Sequence, residues 1–313
     1  MPFKVAVCIA TCRRPRWLGQ LLESLTKLEY VKCPAVKPAV IVVDNDYRGS
    51  ARAVAGNFSA RFAEFIYELE PVQNISLARN RTVALAKSLG CTYAVFVDDD
   101  EFVEPRWLDE LLFTLRVYDA DIVRGPVIPV FSEPVPEWVM KGGFFELHRL
   151  ENTATGERIR WGATNNVLIK RELLDRLEGP FDPAFGLTGG EDTHLFERLH
   201  RLGARMVWSN EAVVRENVPS SRTNVKWILL HYYSFGSKLA QCDRALATSK
   251  NWLIIRLIKG VGRILQGSLL FLPSLFLGYA AAVKSLSHIA RGAGMLAGIC
   301  GCKSEEYKVI HGS

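Results

Sequence analysis

The sequence lacks several motifs that mark common protein classes. Its seven cysteines are scattered and form no CxxC pair, so neither a zinc site nor a disulfide framework is indicated, and a reducing compartment is expected. No GxGxxG follows the first apolar segment and no GxxxxGKS/T occurs, which disfavours dinucleotide-binding and P-loop folds. The N-terminus, MPFKVAVCIATCRRP, has no charged start before a long apolar core, so no secretion signal is expected.

Acidic residues are scarce in the C-terminal third of the chain. The overall net charge is +6, but residues 222–303 carry eleven basic side chains and one acid, Asp243, which gives a local charge of +10 and leaves −4 elsewhere. A basic region can bind nucleic acid, but the apolar content of this one favours a membrane. We therefore predict membrane contact and no nucleic-acid partner.

The same region contains a long uncharged run. The basic residues of NWLIIRLIKGVGR have spacings of three and four, as in helices that lie in a bilayer interface. Residues 264–283 then carry no charge, and twenty residues at about 1.5 Å each can cross a hydrocarbon core of about 30 Å. Pro273 interrupts the run, so a bent, half-inserted hairpin competes with a straight span. We predict contact with membrane lipid through residues 252–302; the alternative is a buried helical hairpin that completes the soluble core.

Before residue 222, strand-like and helix-like segments alternate. FKVAVCIA, AVIVVDND, FIYELE, YAVFVDDD and DIVRGPVI have the composition of buried strands, and RPRWLGQLLESLTKL has apolar residues at helical spacing. This alternation predicts a mostly parallel sheet flanked by helices, with ligands at the carboxyl ends of the strands. Three of these ends carry polar groups: Thr11 with Arg13 and Arg14, Asp44 with Asn45, and Asp98–Asp100.

VFVDDDEF, residues 95–102, places four carboxylates side by side. Neighbouring carboxylates repel, so a folding argument alone would separate them. A divalent cation that also binds a phosphorylated ligand would offset the repulsion, because Mg²⁺ and Mn²⁺ take carboxylate and phosphate oxygens. The alternative is a solvated turn whose aspartates cap the next helix.

The motifs VAVCIATCRRPRWLGQLLESL, IVVDND, NISLARNR, VFVDDDEFVEPRWL and GGEDTHLFERLHRLGARM occur in this order, and the chain thereby resembles family 2 glycosyltransferases over residues 3–235. The resemblance implies an α/β GT-A fold, that is, a Rossmann-like, mostly parallel sheet flanked by helices, followed by a C-terminal helical membrane-associated segment. The expected domains are residues 1–235 for the transferase and residues 236–313 for membrane attachment.

The resemblance also implies a nucleotide and metal site. A UDP-sugar would be bound by residues at the strand ends and the following helix: Ala10, Thr11, Arg13, Asp44, Asn74, Arg79, Asp98 and Asp99. Mg²⁺ or Mn²⁺ would be bound by Asp100, with Asp98 as a further ligand. Many members of the family have a metal-binding histidine after the second acidic motif, where this chain has Glu216 or Asn217 instead. Glu216 is the oxygen ligand that suits the metal at this position. Helix capping and turn formation remain alternatives for several of these residues, Asp44 above all.

GGEDTHLFERLHRLG is the second motif in which acids are concentrated. The resemblance makes Asp192 the general base that removes a proton from the acceptor hydroxyl, and the helix N-terminus favours its ionised form. The alternative is that both acids only cap the helix. Glu191, Trp161 and Asn165 are expected to contact the acceptor, although packing and turn formation explain Trp161 and Asn165 equally well.

The resulting hypothesis is an inverting transfer of a hexose, glucose by resemblance, from a UDP-sugar to a polyprenyl-diphosphate-linked oligosaccharide. The basic apolar tail places the reaction at the cytoplasmic face of a bacterial inner membrane, in exopolysaccharide synthesis. Two alternatives stay open: a sugar nucleotidyltransferase, and a non-catalytic membrane-docked sensor of sugar nucleotides. The first would need a glycine-rich phosphate loop near the first strand, which ATCRRP does not provide.

Overall fold

Strands and helices alternate through most of the chain. The computed structural model describes residues 4–34, 36–131, 133–146, 150 and 152–302, so the ends of the two predicted domains, residues 1–3 and 303–313, lie outside it. The strands are β1 Val5–Thr11, β2 Ala39–Asp44, β3 Glu64–Leu69, β4 Tyr93–Phe96, β5 Glu101–Val103, β6 Ile122–Arg124, β7 Val127–Phe131, β8 Val167–Lys170, β9 Met206–Trp208 and β10 Val214–Val218. The helices are α1 Pro15–Leu25, α2 Arg52–Phe58, α3 Ile75–Ser88, α4 Trp107–Val117, α5 Glu137–Gly142, α6 Arg171–Asp175, α7 Glu191–Arg201, α8 Val225–Ala245, α9 Asn251–Leu277 and α10 Tyr279–Ile299.

Seven strands form the main sheet in the order β3-β2-β1-β4-β8-β6-β9. β1 to β4 are mutually parallel, whereas β8 runs antiparallel to β4 and β6. β1 and β2 are apolar along nearly their whole length because both faces of the sheet are covered. The predicted fold class, a mostly parallel sheet flanked by helices, is confirmed.

Helices bury one hydrophobic core on each face of this sheet. On one face, α1 inserts its leucines at helical spacing and α4 contributes the fully buried Trp107. On the other face, α3, α6 and α7 pack through small and apolar side chains such as Ala78, Leu174 and Phe196. Alternate residues of the central strands point into the two cores, which fixes the strand register and therefore the positions of the strand ends.

A second sheet of three strands, in the order β5-β10-β7, begins directly after Asp98–Asp100, here called the aspartate row. β10 pairs antiparallel with β5, and in this register Glu216 lies opposite Glu101. β10 also pairs in parallel with β7. The small sheet therefore brings residue 216 next to residues 98–101, although more than 110 positions separate them in the sequence.

The C-terminal helices form a hairpin on α8. α9 passes through Pro273 and ends at Leu277, and the chain then reverses at Gly278, whose φ of 99° favours glycine. α10 packs between α8 and α9. A Cβ on Gly294 would lie 1.9 Å from the carbonyl oxygen of Tyr233, so glycine permits the close approach of α10 to α8.

The predicted division at residues 235 and 236 falls inside α8, so the two regions share one continuous helix. Among the described residues, α9 is the one helix whose length and hydropathy suffice for crossing a membrane. Its side chains are mostly exposed, including Leu269 and Phe276. The hairpin therefore combines a packed inner helix, α10, with an outer helix whose apolar face is uncovered.

Candidate functional site

The carboxyl ends of β1, β2 and β4 meet at one edge of the main sheet. Thr11 lies opposite Asp44, and Cys8 lies opposite Phe96, in the parallel registers. The chain then turns through residues 97–100, so the aspartate row reaches the end of β1. The Thr11 hydroxyl donates a hydrogen bond of 2.8 Å to Oδ2 of Asp99, which is 5% exposed. The expectation that these strand ends converge is met by this contact.

Arg14 and Arg222 form ion pairs with the last two residues of the aspartate row, Asp99 and Asp100. Nη1 of Arg14, just before α1, lies 2.9 Å from Oδ1 of Asp99 and 3.0 Å from Oδ2 of Asp100. Arg222, at the end of the short 3-10 turn Ser220–Arg222, lies 3.4 Å from Oδ2 of Asp100 and 3.1 Å from Oε1 of Glu216. The segment after β10 is therefore tied to the row by ion pairs, which places Glu216 in the same cluster.

The cluster carries an excess of negative charge. Asp98 to Glu101 and Glu216 provide five carboxylates, and three guanidiniums, those of Arg14, Arg79 and Arg222, ion-pair with members of the group. Burial and the charge of Asp100 raise the pKa of Glu216 to about 7. Burial also raises the pKa of Asp99 to about 6, although Arg14 acts in the opposite direction. Burial is the largest cause of both shifts, so these carboxylates lie in an environment that disfavours their charged form.

The donor chemistry of this cluster fits a divalent cation, since carboxylate oxygens are what Mg²⁺ and Mn²⁺ bind. In the arrangement described for residues 4–302, however, no group of three His, Cys, Asp or Glu side chains is positioned to hold a metal ion. The reason is visible at Asp100, whose Oδ2 is bound by both Arg14 and Arg222. Coordination by Asp100 would require these guanidiniums to give up their contacts.

Arg79 connects the aspartate row to the second acidic motif. Its side chain is 7% exposed, and Nη2 lies 2.8 Å from Oδ1 of Asp98 while Nη1 ion-pairs with Oε1 of Glu191. Burial raises the pKa of Glu191 to about 7, against the opposing effect of Arg79. The planar guanidinium thus joins two loops that are more than 90 positions apart, which the sequence did not predict.

The N-terminus of α7 presents Asp192 next to this bridge. Gly189 and Gly190 adopt φ values of 75° and 96°, so the chain can turn sharply into the helix. Oδ1 of Asp192 accepts a 2.6 Å hydrogen bond from the backbone N–H of Thr193, in the first turn of α7. Glu191 is 1% exposed and points inward to Arg79, whereas Asp192 is half-buried and accessible.

The predicted acceptor residues lie at the same edge. β8 is antiparallel, and Val167 at its start lies opposite both Phe96 and Arg124. Asn165 therefore lies at the edge that holds the aspartate row, and its side-chain oxygen is buried with no hydrogen-bond partner among the described residues. Trp161 is 46% exposed and stacks on a guanidinium, which leaves one of its faces available to a ligand.

Arg124 is the residue that stacks on Trp161, and the sequence reasoning missed it. It ends β6, is fully buried, and its guanidinium lies 4.6 Å from the Trp161 ring and 5.8 Å from the Trp208 ring. Burial lowers its pKa to about 10, while Asp192 and Glu101 act in the opposite direction. A charged residue at the end of an apolar strand, directly before Gly-Pro, is the signal that marks it.

Other predicted ligands make structural contacts. Arg13 has a φ of 55° and pairs at 3.5 Å with Asp46, so its side chain points away from the aspartate row. Both oxygens of Asp44 accept hydrogen bonds from the following loop and from the Tyr67 hydroxyl. Asn74 caps α3 through Leu77 N–H. Nucleotide contacts by these residues, and by Ala10 in the register of β1, stay predictions.

Comparison with known proteins gives a consistent result. Residues 6–177 match the family model described as Glycosyl transferase family 2. The chain is 32% identical over 306 residues to the succinoglycan biosynthesis protein ExoM of Rhizobium meliloti, covering 96% of this chain and 94% of that protein. It is 24% identical over 243 residues to the glucosyl-dolichyl phosphate glucuronosyltransferase of Haloferax volcanii, covering 74% of each chain.

Solved structures share the fold. The structure of S. aureus TarS 1–349 in complex with UDP superimposes with a TM-score of 0.55 at 15% identity, covering 96% of this chain and 92% of that one. The complex of the same fragment with UDP-GlcNAc gives 0.55 at 14% identity, covering 99% and 95%. The family match spans more than half of the sequence, and the ExoM similarity spans nearly all of it. The family match and the similarity to ExoM therefore show that the chain belongs to glycosyl transferase family 2 and is a glycosyltransferase.

Proposed function

We propose that the protein is an inverting, metal-dependent transferase that moves a hexose, preferably glucose, from a UDP-sugar to a hydroxyl of a lipid-linked oligosaccharide. The acceptor is a polyprenyl-diphosphate-linked chain in exopolysaccharide synthesis, at the cytoplasmic face of a bacterial inner membrane. UDP as the donor nucleotide is supported by the TarS complexes with UDP and UDP-GlcNAc. Exopolysaccharide synthesis is supported by the similarity to the succinoglycan biosynthesis protein ExoM. Glucose as the donor sugar follows from the family resemblance of the sequence alone.

The observation that carries the proposal is the Arg79 bridge. One buried guanidinium binds Asp98 on the donor side and Glu191, the residue before the proposed base, on the acceptor side. A transferase must hold the anomeric carbon of the donor and the hydroxyl of the acceptor at contact distance. Because the planar guanidinium of Arg79 binds both loops, it fixes them relative to each other. Arg79 is therefore a positioning residue for the reaction.

The carboxylates of Asp98, Asp100 and Glu216 would hold the metal ion. Their excess negative charge and the raised pKa of Glu216 support this assignment. When bound there, Mg²⁺ or Mn²⁺ supplies positive charge to the oxygens of the departing diphosphate. Arg14 and Arg222, which neutralise Asp100 in the structure, are then available to bind phosphate oxygens themselves.

Asp192 acts as the general base. Its carboxylate takes the proton of the acceptor hydroxyl as that oxygen attacks the anomeric carbon, and the bond between this carbon and the diphosphate breaks, so UDP leaves and the configuration inverts. Arg124 lies near Asp192, and stacking holds its guanidinium in a fixed orientation. Trp161 and Asn165, at the same sheet edge, would contact the acceptor sugar.

The membrane attachment rests on the outer helix of the hairpin. α9 exposes large apolar side chains along most of its 27 residues, and α10 packs against the body of the protein instead of leaving it. This arrangement suits a helix that lies in the bilayer interface with its apolar side in the acyl region. A lipid-bound acceptor would then be held in the same plane as the enzyme.

The central experiment is a donor panel. Purified protein is incubated with UDP- and GDP-sugars, Mn²⁺ and a bacterial lipid extract, and released nucleotide is measured together with labelled sugar in the lipid phase. We expect UDP release that depends on both Mn²⁺ and lipid. Consumption of none of the donors would reject the transferase assignment for these substrates, and pyrophosphate release from UTP and a sugar phosphate would favour the nucleotidyltransferase.

A further inference from the structure

A second cluster of like charges lies in the C-terminal helices, apart from the carboxylates. Four basic side chains line a cavity of about 520 Å³ between α8, α9 and α10: Arg256, Lys259, Arg263 and Arg291. Three of them come from one face of α9 and the fourth from the facing side of α10. No carboxylate is among the described residues that line this cavity.

The cations in this cavity are close enough to affect one another. Burial lowers the pKa of Arg291, and the charges of Arg263 and Arg256 lower it further. The guanidinium of Arg291 packs at 4.6 Å from the Phe235 ring, and its Nε is buried without a hydrogen-bond partner among residues 4–302 as described. Arg256 has an acidic partner, Asp243, at 2.7 Å. A bound anion would relieve the repulsion that Arg263 and Arg256 exert on Arg291.

The cavity opens toward the proposed base. A neighbouring cavity of about 430 Å³ shares the lining residues Leu239, Arg256 and Lys259 with the first. It extends along α7 as far as Thr193, the residue that donates a hydrogen bond to Asp192. The two cavities therefore adjoin, and the pair is here called the groove, with the basic cluster lining one part and the start of α7 the other. Glu197 and Asp243 line the part next to α7.

The opposite side of α9 is apolar. The exposed residues on this side follow one another at spacings of three and four, so they form one stripe: Ile254, Ile258, Val261, Leu265, Leu269, Leu272 and Phe276. Phe276 is 92% exposed and Leu269 76%. Positive charge on one side of the helix and apolar surface on the other match an amphiphile with an anionic head and a lipid tail.

We propose that the basic cavity binds the diphosphate group of a lipid-linked acceptor, with the lipid chain alongside α9 and the sugar extending through the groove to Asp192. This inference rests on the proposed function, since it assigns a subsite to the acceptor of that reaction. A diphosphate presents two adjacent anionic groups to a cavity lined by four cations, of which Arg256 also pairs with Asp243. A phospholipid headgroup such as phosphatidylglycerol presents one, so the cavity distinguishes the two by charge density.

The test measures binding of the full chain to vesicles without any donor. Phosphatidylcholine vesicles carry either undecaprenyl diphosphate or phosphatidylglycerol at matched total charge, and bound protein is quantified by flotation. We expect tighter binding to the diphosphate vesicles. The double variant Lys259→Gln/Arg263→Gln should reduce that affinity by about 30-fold, because each cation near an anionic surface is worth about fivefold.

A matched variant separates the cavity from general surface charge. Lys250→Gln removes an exposed cation at the start of α9 that lines neither cavity. It should weaken binding to both vesicle types equally and preserve the preference for diphosphate, whereas the double variant should abolish that preference. Equal binding of the wild-type protein to both vesicles, or a preference that survives the double variant, would overturn the assignment.

Failure of this inference is distinguishable from failure of the proposed function. UDP-sugar consumption with a water-soluble acceptor analogue reports on the transferase reaction alone and needs no vesicle. Donor turnover without diphosphate preference would remove the subsite and keep the enzyme. Diphosphate preference without turnover of any donor would keep the subsite and remove the reaction.

Discussion

Replacement of Arg79 by methionine tests the central contact of the site. Arg79 is 7% exposed in its side chain and ion-pairs with Asp98 and with Glu191, whose side chain is 2% exposed. Methionine keeps the apolar stem and removes the charge. Loss of one partner from a buried ion pair costs about 3–5 kcal/mol, because the remaining charge is left uncompensated. For a protein of this size that corresponds to a melting temperature lower by roughly 6–20 °C.

The same helix offers a matched control. Arg81, two residues further along α3, is 49% exposed in its side chain and pairs with Glu68 at the surface. An exposed pair of this kind contributes about 0–1 kcal/mol, so Arg81→Met should lower the melting temperature by less than about 4 °C. Calorimetry or circular dichroism in metal-free buffer at pH 8 measures both variants. Equal shifts for Arg79→Met and Arg81→Met would refute the argument that the bridge is buried and two-sided.

The pH dependence gives an independent check of the same contact. The pKa of Glu191 is about 7 in the fold and 4.5 as the ordinary value. Between these two pH values the folded protein keeps the proton on Glu191 that the unfolded chain releases. The stability that the protonated Glu191 contributes is therefore lost as pH rises from about 4.5 to 7. Arg79 lowers the folded pKa, so its removal extends the loss to higher pH. The deficit of Arg79→Met should be larger at pH 8 than at pH 5; a constant deficit would contradict the assignment.

Three further predictions concern the base, the hairpin and the membrane face. Asp192→Asn should reduce sugar transfer by at least about 100-fold, while the affinity for UDP, measured by calorimetry, stays unchanged. The surface variant Asp175→Asn should retain transfer activity. Comparable activity of the two variants would show that Asp192 is not the base. In urea unfolding, Gly294→Ala should destabilise the fold by about 1–3 kcal/mol, because the new methyl group meets the Tyr233 carbonyl. Gly262→Ala should stabilise the fold by about 0.5–1 kcal/mol, because nothing lies within 4 Å of the added Cβ. Shifts of the same sign would show that α10 is packed differently. Leu269→Asp/Phe276→Asp should lower vesicle binding by about tenfold or more per site. Val31→Asp/Val72→Asp, at two apolar residues that are exposed elsewhere on the protein, should not lower it. Equal vesicle binding of both double variants would exclude α9 as the contact.

Much of the sheet follows from the sequence because buried parallel strands leave a strong apolar signal. β1, β2 and β4 were predicted from apolar runs, and their polar ends meet as parallel topology requires. β8 was not predicted, since its four residues lie in a region rich in proline and glycine and pair antiparallel with β4 and β6. Short strands of this kind carry no periodicity of their own, so only tertiary pairing defines them.

Sequence reasoning does not distinguish neighbouring residues of the same type at the site. Arg13 and Arg14 carry the same side chain, yet Arg13, whose φ is 55°, pairs with Asp46, while Arg14 pairs with Asp99 and Asp100. The Arg79 bridge is similarly invisible, because its partners come from two distant loops. Residue types at strand ends thus indicate where a site lies, while backbone conformation decides which side chain enters it.

Hydropathy left a straight span and a bent hairpin open for the C-terminal region, and it did not predict how the helices pack. The uncharged run suggested a break at Pro273, yet α9 continues to Leu277, because a proline there removes one backbone hydrogen bond without ending a long helix. The signal that predicts the packing is the set of glycines in ARGAGMLAG. Gly294 and Gly298 face backbone atoms of α8, and Gly292 faces Gly260 of α9, so α10 approaches both neighbours closely.

The turn that carries Asp192, the proposed base, packs against α8, which in turn packs against the C-terminal hairpin proposed to contact the membrane. The Cys242 thiol of α8 donates a hydrogen bond to the carbonyl of Gly190, the residue before α7, and a Cβ on Gly190 would lie 3.2 Å from Cβ of Lys238. α8 therefore supports the turn that presents Asp192, and α10 covers the other side of α8. Removal of residues 252–313 would expose that side and loosen the support of the base. Truncation should accordingly lower transfer to a soluble acceptor as well as release the protein from membranes, whereas a simple anchor would affect membrane binding alone.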